Sequence, residues 1–377
     1  MNHRERSLNT FQFKRTDKFP LERSDAREST LARWHKEGLP NVDDWYTYCL
    51  SILGIQMSGP DDPSYHFIEV NTRMIPTFEE KVISHENGHY IIQDWMGAIT
   101  EISDQYDYTY IRGAKDFVTR RWHKFPVETH EDWVEMKKRY NPDDIRRYPA
   151  NAAELPALLA GREYLSSLMI GGIFWQLRDW LGFENLCVAF IDQLDFVTEM
   201  IDFWSDFILR VIEKTTSQIP VDHLYINEDM AYKAHPMISP QLVREYFLPV
   251  YQKWAAAAKK NGARLIEIDS DGYIGDLIPI WIDMGITICG PIEVAAHNDI
   301  AHYLKEYGTS MAYRGGIDKR AIAAGGKIME AEVRRVVEPF LENGGLVPGC
   351  DHAVPADVSY QNFLDYTRFL AELTGWK

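Results

Sequence analysis

The second half of the chain repeats one pattern, a short apolar strand followed by a helix, five times in succession. The predicted strands end near residues 226, 268, 288, 314 and 348. Strands that return to the same sheet in parallel need a crossover of this kind, and the spacing suits an α/β barrel. The pattern therefore predicts an α/β protein with the (β/α)8 TIM-barrel fold.

A stretch at about 60–125 is different, because its short runs of β-branched and aromatic residues predict an antiparallel β-rich insertion. Within it, His85-Glu86-Asn87-Gly88-His89 matches the H-E-x-x-H pattern of zinc proteases. That pattern needs a helix to put both histidines on one face, whereas Asn-Gly favours a hairpin turn. We therefore expect a hairpin there. The length of 377 residues suits one large α/β barrel with an insertion as well as it suits two domains, and we take a single barrel domain over 1–377 as the prediction.

The balance of charge excludes some partners. The chain has 40 Lys and Arg against 56 Asp and Glu, a formal net charge of −16. So acidic a chain repels nucleic acid and anionic membranes, and neither is predicted as a partner. No apolar run approaches the roughly 20 residues of a membrane span, and the N-terminus lacks the apolar core of a signal peptide. Four widely separated cysteines fit a reducing compartment, so we expect a cytoplasmic protein.

Polar side chains follow the predicted strands at the places where the strands end. They are Glu228 and Asp229, then Asp269 and Asp271, then Cys289 with Glu293 beyond it, then Asp318, Lys319 and Arg320, and finally Cys350 and His352. Active sites of α/β barrels lie at this end of the strands. Each group alone is unspecific, since Asp269 or Ser270 would also suit a helix N-cap and Cys350 a buried apolar position.

Two kinds of chemistry fit these groups. Carboxylates with a thiol and an imidazole can bind zinc and leave one position open for a substrate. Alternatively, Asp and His side chains act as acid and base without a metal, while Arg314 or Arg320 holds an anion. The residues alone leave both alternatives open.

Several segments resemble the uroporphyrinogen decarboxylase superfamily, most of all its broad branch of decarboxylase-domain proteins. They are WHKEGLP (34–40), RMIPTFEEKV (73–82), EDMAYK (228–233), SPQLVREYFLPVYQKW (239–254), DSDG (269–272), GGIDKR (315–320) and GGLVPGCDHAVPADVSYQN (344–362). The resemblance covers nearly the whole chain and also implies a (β/α)8 barrel. It implies either metal-free decarboxylation of a tetrapyrrole or zinc-dependent methyl transfer involving a corrinoid protein.

True tetrapyrrole decarboxylases share an early arginine-rich motif of the type RQAGR. The corresponding region here reads Glu22-Arg23-Ser24-Asp25-Ala26-Arg27 and lacks that pattern. Without this basic cradle, and with a net charge of −16, the chain is poorly suited to a substrate with eight carboxylates. Decarboxylation of another carboxylate stays as the alternative activity.

The zinc methyltransferases of the superfamily carry ligands that resemble H-x-C-G at one strand end and a cysteine at a late one. These patterns fall on Asp269-Ser270-Asp271-Gly272 and on Cys350, so the resemblance implies Asp269, Asp271 and Cys350 as metal ligands. His352 or Glu228 could complete the ligand sphere. Oxygen ligands leave zinc a stronger Lewis acid, which suits activation of a methyl ether oxygen.

The resemblance thus implies a zinc-dependent methyltransferase. It would move a methyl group from a small substrate, such as an aromatic methyl ether, to the cobalt of a cobalamin-type corrinoid on a partner protein. The predicted catalytic residues are Asp229, His352 and Glu228, and the predicted cofactor-binding residues are Arg320 and Asp318. A homodimer is one candidate assembly. A barrel that only binds a ligand or a corrinoid partner, without catalysis, is a third hypothesis.

Overall fold

A computed structural model of the chain describes residues 1–55, 66–113, 116 and 118–377. The strands are β1 (His66–Phe67), β2 (Lys81–Glu86), β3 (His89–Gln93), β4 (Ile99–Ser103), β5 (Arg120–Lys124), β6 (Ser166–Gly171), β7 (His223–Asn227), β8 (Leu265–Asp269), β9 (Ile288–Gly290), β10 (Ala312–Ile317) and β11 (Leu346–Cys350). The chain divides into two compact units. Unit 1 comprises Met1–Glu69, Pro149–Ile170 and Ile212–Lys377, and unit 2 comprises Val70–Tyr148 and Gly171–Val211.

The helices follow the same order along the chain. They are α1 (His3–Phe11), α2 (Glu28–Glu37), α3 (Trp45–Ile52), α4 (His130–Lys137), α5 (Leu155–Leu158), α6 (Ile173–Leu181), α7 (Phe183–Asp192), α8 (Leu194–Thr216), α9 (Pro240–Leu242), α10 (Leu248–Lys260), α11 (Ile278–Asp283), α12 (Ile300–Tyr307), α13 (Lys319–Ala324), α14 (Gly326–Val337) and α15 (Tyr360–Leu373). A π-helical turn at Val243–Phe247 joins α9 to α10. In the described part of the chain, no helix combines the length and apolarity needed to cross a membrane.

Unit 1 is built on a seven-stranded sheet in the order β1-β6-β7-β8-β9-β10-β11. The pairs from β7 to β11 and the pair β1–β6 are parallel. Neighbouring strands are also consecutive in sequence within this unit, as expected for strands that alternate with helices. The α/β class is therefore confirmed, and the architecture is compatible with a TIM-like fold. Among the described residues the sheet has seven strands, so neither an eighth strand nor closure is shown.

Two of the parallel strands run further than the sequence predicts. Gly315 and Gly316 pair in register with Pro348 and Gly349, so β10 ends at Ile317 rather than at 314. The glycine pair looks like a turn in the sequence, but both residues take positive φ, +86° and +83°, and still keep their ladder positions. The same pairing carries β11 to Cys350, beyond the predicted end at 348.

Unit 2 contains the four-stranded antiparallel sheet β2-β3-β4-β5. This confirms the antiparallel β-rich stretch, although residues 60–65, 114, 115 and 117 of the predicted range lie outside the described residues. Glu86 pairs with His89 across a turn in which Asn87 and Gly88 have positive φ, +54° and +78°. The H-E-x-x-H sequence is therefore a two-residue hairpin turn, as predicted, because Asn and Gly tolerate the left-handed conformation. That the whole chain is one domain stays a prediction.

Aromatic residues of the first helices pack in the core of unit 1. Trp34 is fully buried, its ring centroid lies 4.7 Å from that of Phe363, and its Nε1 donates to the Val358 carbonyl at 2.9 Å. Gly38, with φ +114°, ends α2 in the left-handed conformation that favours glycine. The aromatic residues around Trp34 thus hold α2 against α15 rather than lining a substrate pocket.

A chain of buried polar groups crosses the first residues of the parallel strands. Arg314 donates from Nε and Nη2 to the two carboxylate oxygens of Glu267, at 2.7 and 2.8 Å, and also pairs with Glu22. His223 Nε2 lies 3.1 Å from Glu267, and its Nδ1 lies 3.0 Å from Ser167 Oγ. Burial opposes ionisation of Glu267, but Arg314 and His223 outweigh it and lower its pKa to about 2. This set, the interior ion network, joins β7, β8 and β10 through ion pairs and reaches β6 through the hydrogen bond of Ser167.

Candidate active site

The turn Asp269–Gly272 at the end of β8 is held by carboxylates from two other loops. The Asp271 amide donates to Asp229 Oδ1 at 3.0 Å, and the Gly272 amide donates to Glu293 Oε2 at 2.9 Å. The hydroxyl of Ser270 accepts from the Met230 amide at 3.2 Å. The next helix begins only at Ile278 and has no side-chain cap, so the turn is not a helix N-cap.

Asp269 is the last residue of β8, between the ends of β7 and β9. In register it stands between Asn227 of β7 and Gly290 of β9, and the phenol of Tyr225 donates a hydrogen bond to its carboxylate. Burial raises the pKa of Asp269 to about 7, and the nearby negative charges of Asp271 and Asp229 add to the effect. At neutral pH this carboxyl group therefore keeps its proton far more often than an ordinary aspartic acid does.

His352 faces the same turn from the loop after β11. Its Nε2 lies 3.3 Å from Asp271 Oδ2, and its Nδ1 accepts from the Ala353 amide at 2.7 Å. Because Nδ1 accepts, the proton of the neutral ring is assigned to Nε2, which donates to Asp271. The hydrogen bond to Asp271 raises the pKa of His352. Four predicted catalytic or metal residues thus meet with Tyr225 in one place, the strand-end cluster (Tyr225, Asp229, Asp269, Asp271 and His352).

A lysine beside this cluster is already neutralised. Lys319 Nζ lies 3.2 Å from Glu293 Oε1 and 3.5 Å from Asp351 Oδ1. Asp351 is fully buried and also accepts from the backbone amides of Lys319 and Val294, at 3.1 and 3.0 Å. Although burial opposes it, the charges of Asp351 and Glu293 raise the pKa of Lys319. Its cation therefore ties two loops together rather than standing open for an anionic substrate.

Three other predicted residues have different surroundings. Glu228 is fully buried, and its carboxylate accepts a hydrogen bond from the Tyr251 hydroxyl of α10, which gives it a packing role. Asp318 caps α13, and both of its carboxylate oxygens bond to Arg320, whose side chain is 63 % exposed. The two predicted cofactor-binding residues therefore satisfy each other.

The proposed zinc ligands do not fit a metal site. Across residues 1–55, 66–113, 116 and 118–377, no group of three or more His, Cys, Asp or Glu side chains is placed to hold a metal ion. Cys350 is buried at the end of β11, and its Sγ lies 4.0 Å from Asp351 Oδ1. Burial, with the Asp351 charge, raises the pKa of the Cys350 thiol to about 12. Asp269, Asp271 and Cys350 thus do not form a ligand set.

Tyr225, Lys319 and Asp351 matter here more than their sequence positions suggest. Tyr225 stands two residues before the end of β7, on the same face as Asn227, and this alternation is the signal that could have identified it. Lys319 is among the strand-end residues of the sequence, but the predicted binding role falls on Arg320 beside it, and Asp351 stands next to the predicted ligand Cys350. For Lys319 and for Asp351, the side chain that contacts other loops is therefore one position away from the predicted site residue.

Gly272 fixes the shape of the turn, and its replacement is predicted to disturb it. Its φ is +84°, and an added Cβ would lie 2.6 Å from the Ala231 carbonyl carbon. We expect Gly272→Ala to destabilise the fold by about 1–3 kcal/mol, because backbone atoms must move. Gly262→Ala is the control, since its φ is +111° but no atom lies within 4 Å of the new Cβ. Equal losses in urea denaturation would show that the close contact is unimportant.

Comparison with known proteins supports the fold. No family model and no curated protein sequence matches the chain. A solved structure described as a methyltransferase from Methanosarcina mazei is similar over 100 % of this chain and 98 % of its own, with a TM-score of 0.62 and 14 % identity. A structure described as a vitamin-B12-independent methionine synthase from Listeria monocytogenes covers 63 % of this chain and 72 % of its own at 10 % identity, with a TM-score of only 0.40. At such identities the first likeness shows a shared fold, and membership of the uroporphyrinogen decarboxylase superfamily stays a prediction.

Proposed function

We propose that this protein is an enzyme that transfers a methyl group from a small methylated substrate, with Asp269 as the acid that protonates the atom the methyl group leaves. The observation that carries the proposal is the strand-end cluster, where the Asp269 carboxyl bonds to Tyr225 beside the Asp271–His352 pair. A fold shared with a methyltransferase over the full chain supports the reaction class.

The chemistry explains why an acid is needed. When a methyl group leaves an ether, the C–O bond breaks, its electron pair stays on oxygen, and that oxygen takes a proton. An acid works best when its pKa is near the working pH, and the pKa of Asp269 is about 7. Asp229 and Asp271 keep this proton in place by their negative charge, and His352 limits that charge by donating to Asp271. An aromatic methyl ether is the substrate class that we propose.

A corrinoid on a partner protein would supply the methyl acceptor, its cobalt atom. Zinc stays a prediction of the family resemblance, and this mechanism has no step through it because the predicted ligands do not fit. Arg320 and Asp318 bond to each other, so they offer no ready contact for the corrinoid.

We also propose that the segment before Arg27 occupies the eighth strand position of a closed (β/α)8 barrel. Ala26 forms a parallel bridge with Val354, just beyond β11. The Val354 amide donates to the Asp25 carbonyl at 2.8 Å, and the Arg27 amide donates to the Val354 carbonyl at 3.3 Å. These two bonds have the pattern of a parallel ladder.

Decarboxylation is less well supported, because the cations that would hold a carboxylate are engaged. Lys319 pairs with Glu293 and Asp351, and Arg314 pairs with Glu267 in the interior ion network. Simple binding without catalysis is also less well supported. The Asp269 carboxyl has the phenol of Tyr225 as its hydrogen-bond partner rather than a Lys or Arg, so it can still carry an acidic proton.

The test is a methyl-transfer assay. Purified protein is mixed with chemically reduced cobalamin and a panel of methoxybenzenes and methoxybenzoates, and the phenol product is measured by liquid chromatography. We expect phenol only when protein, methyl ether and reduced cobalamin are all present. A folded protein that forms no phenol from any member of the panel would contradict the proposal.

Tyr225→Phe gives a second, more specific prediction. The variant keeps the ring but removes the hydrogen bond that lowers the pKa of Asp269. The pKa of Asp269 then rises above about 7, so the alkaline fall of activity moves to higher pH, measured as the pH profile of kcat/KM. Tyr246→Phe, at a phenol bonded to Glu245 in the π-helical turn, is the control and should leave the profile in place. An unchanged profile in Tyr225→Phe would remove Tyr225 from the mechanism.

A further inference from the structure

We propose that unit 1 has a second binding site, independent of the strand-end cluster, which takes an organic ammonium cation such as a methylated amine. The site is a cleft of about 520 Å³ between the loop that follows β8 and helix α12. Its walls include three tyrosines and three carboxylates: Tyr273, Tyr303, Tyr307, Asp276, Asp299 and Glu306. We refer to it as the tyrosine cleft.

The aromatic wall is held in place before any ligand arrives. Tyr303 is 4 % exposed, and its hydroxyl donates to Asn298 Oδ1 at 2.8 Å. The Asn298 side chain in turn donates to the Gly272 carbonyl at 2.8 Å. The rings of Tyr303 and Tyr307 lie 6.2 Å apart at an angle of 40°. Tyr303 therefore forms a fixed, buried part of the aromatic wall, and the ring of Tyr307 lies at an angle to it. Aromatic rings of this kind attract cations, and a wall that is already ordered lowers the entropic cost of binding.

The charge of the cleft is negative. No Lys or Arg is among its described lining residues, which carry three carboxylates. Asp299 shares its charge with Arg335 at 3.2 Å, and Glu306 with His302 at 3.0 Å. In the part of the chain that the structure describes, Asp276 has no ion-pair partner. The cleft therefore has an unneutralised carboxylate at its edge, beside Tyr273.

Burial and the carboxylates of the cleft raise the pKa values of two of its tyrosines. Burial raises the pKa of Tyr307 to about 12, and the Glu306 carboxylate contributes to the increase. The pKa of Tyr273 is raised by burial and by Asp276 and Glu306. The phenols of Tyr273 and Tyr307 therefore stay neutral at physiological pH, so they offer neutral aromatic rings to a cation rather than negative charge of their own.

The lining favours a large, diffuse cation over a metal ion. Within the described ranges, no three His, Cys, Asp or Glu groups are placed to coordinate a metal. Angled aromatic rings with a carboxylate at the edge instead suit a methylated ammonium group, which aromatic faces attract. The volume of about 520 Å³ lies within the range typical of small-molecule sites.

The test compares choline with 3,3-dimethylbutan-1-ol, which has the same shape without the charge, by isothermal titration calorimetry on the full chain. We expect the neutral alcohol to bind at least about 10-fold more weakly than choline, a difference of about 1.4 kcal/mol or more in binding free energy. Tyr307→Ala and Asp276→Asn should weaken choline binding, Tyr307→Phe should retain it, and Asp357→Asn, at an exposed carboxylate outside the cleft, should not change it. Asp269→Asn should bind choline as the unchanged protein does.

Three results would overturn the proposal: no choline binding by folded protein, equal binding of the alcohol, or displacement of choline by Mg²⁺ at comparable concentration. If Tyr307→Ala does not fold, Asp276→Asn decides, because Asp276 is exposed and its replacement leaves the core intact. Because the probe is choline and the readout is binding, the outcome does not depend on whether the protein transfers methyl groups.

Discussion

Asp269→Asn is expected to lower the rate of methyl transfer about 10²- to 10⁴-fold at neutral pH, the range typical for loss of a general acid. The amide matches the carboxyl group in size and keeps the hydrogen-bond partner Tyr225, but it has no acidic proton to give. The rate is measured as phenol formed from a methyl ether with reduced cobalamin. Asp192→Asn, at an exposed carboxylate at the end of α7, is the matched control and should retain full activity.

The pH dependence separates lost chemistry from lost structure. The acid must be protonated to act, so activity of the unchanged protein should fall as pH rises above about 7, and this fall should be absent in Asp269→Asn. The pKa of Asp269 is raised by folding, so its contribution to stability is fully present below the ordinary value of 3.8 and is lost as pH rises through about 7. At pH 8 the variant should therefore be at least as stable as the unchanged protein. Lower stability at pH 8 would show that the activity loss is structural.

Arg314→Ala is expected to destabilise the protein by about 3–5 kcal/mol, because it leaves buried carboxylates without their cation. Arg314 holds both oxygens of Glu267 and also pairs with Glu22. Urea denaturation measures the loss. Arg334→Ala is the control, since Arg334 pairs with Glu338 at the surface of α14 and its loss should be about 0.5 kcal/mol or less.

The same network predicts a loss of stability in acid. Glu267 has its pKa lowered from 4.5 to about 2 in the folded protein, so its contribution is present above about 4.5 and is lost as pH falls toward 2. Arg314→Ala should lose this dependence because its Glu267 has no arginine to stabilise the ionised form. A variant that unfolds with nearly unchanged stability and the same acid dependence would show that the network contributes little.

The sequence predicts the α/β class, the hairpin at Asn87-Gly88 and the edge where polar groups gather, because each follows from local pattern. It does not predict how far β10 runs, since a glycine pair that looks like a turn can also continue a strand at positive φ. Nor does it predict which neighbour of a strand end faces the cluster. The Cys350 thiol and the Glu228 carboxylate are close in sequence to the site, yet their partners are Asp351 and Tyr251.

The local sequence pattern also does not predict contacts between different loops. Nothing local to Asp271 indicates that its amide would bond to Asp229, 42 positions earlier, or that His352 would face it. Tyr225 lowers the pKa of Asp269 through a hydrogen bond between neighbouring strands. These relationships arise only when the parallel strands are in register, so residue types at strand ends locate a site without defining its chemistry.

The most direct test of Asp269 as the acid compares the unchanged protein with Asp269→Asn on methoxybenzenes whose ring substituents make the departing phenol more or less acidic. A poor leaving group needs a proton, and a good one does not. The rate loss in Asp269→Asn should therefore be largest for electron-rich rings and should shrink steadily as the phenol becomes more acidic. An equal loss for every substrate would contradict the proposal, because it would mean that Asp269 supports the site without donating a proton.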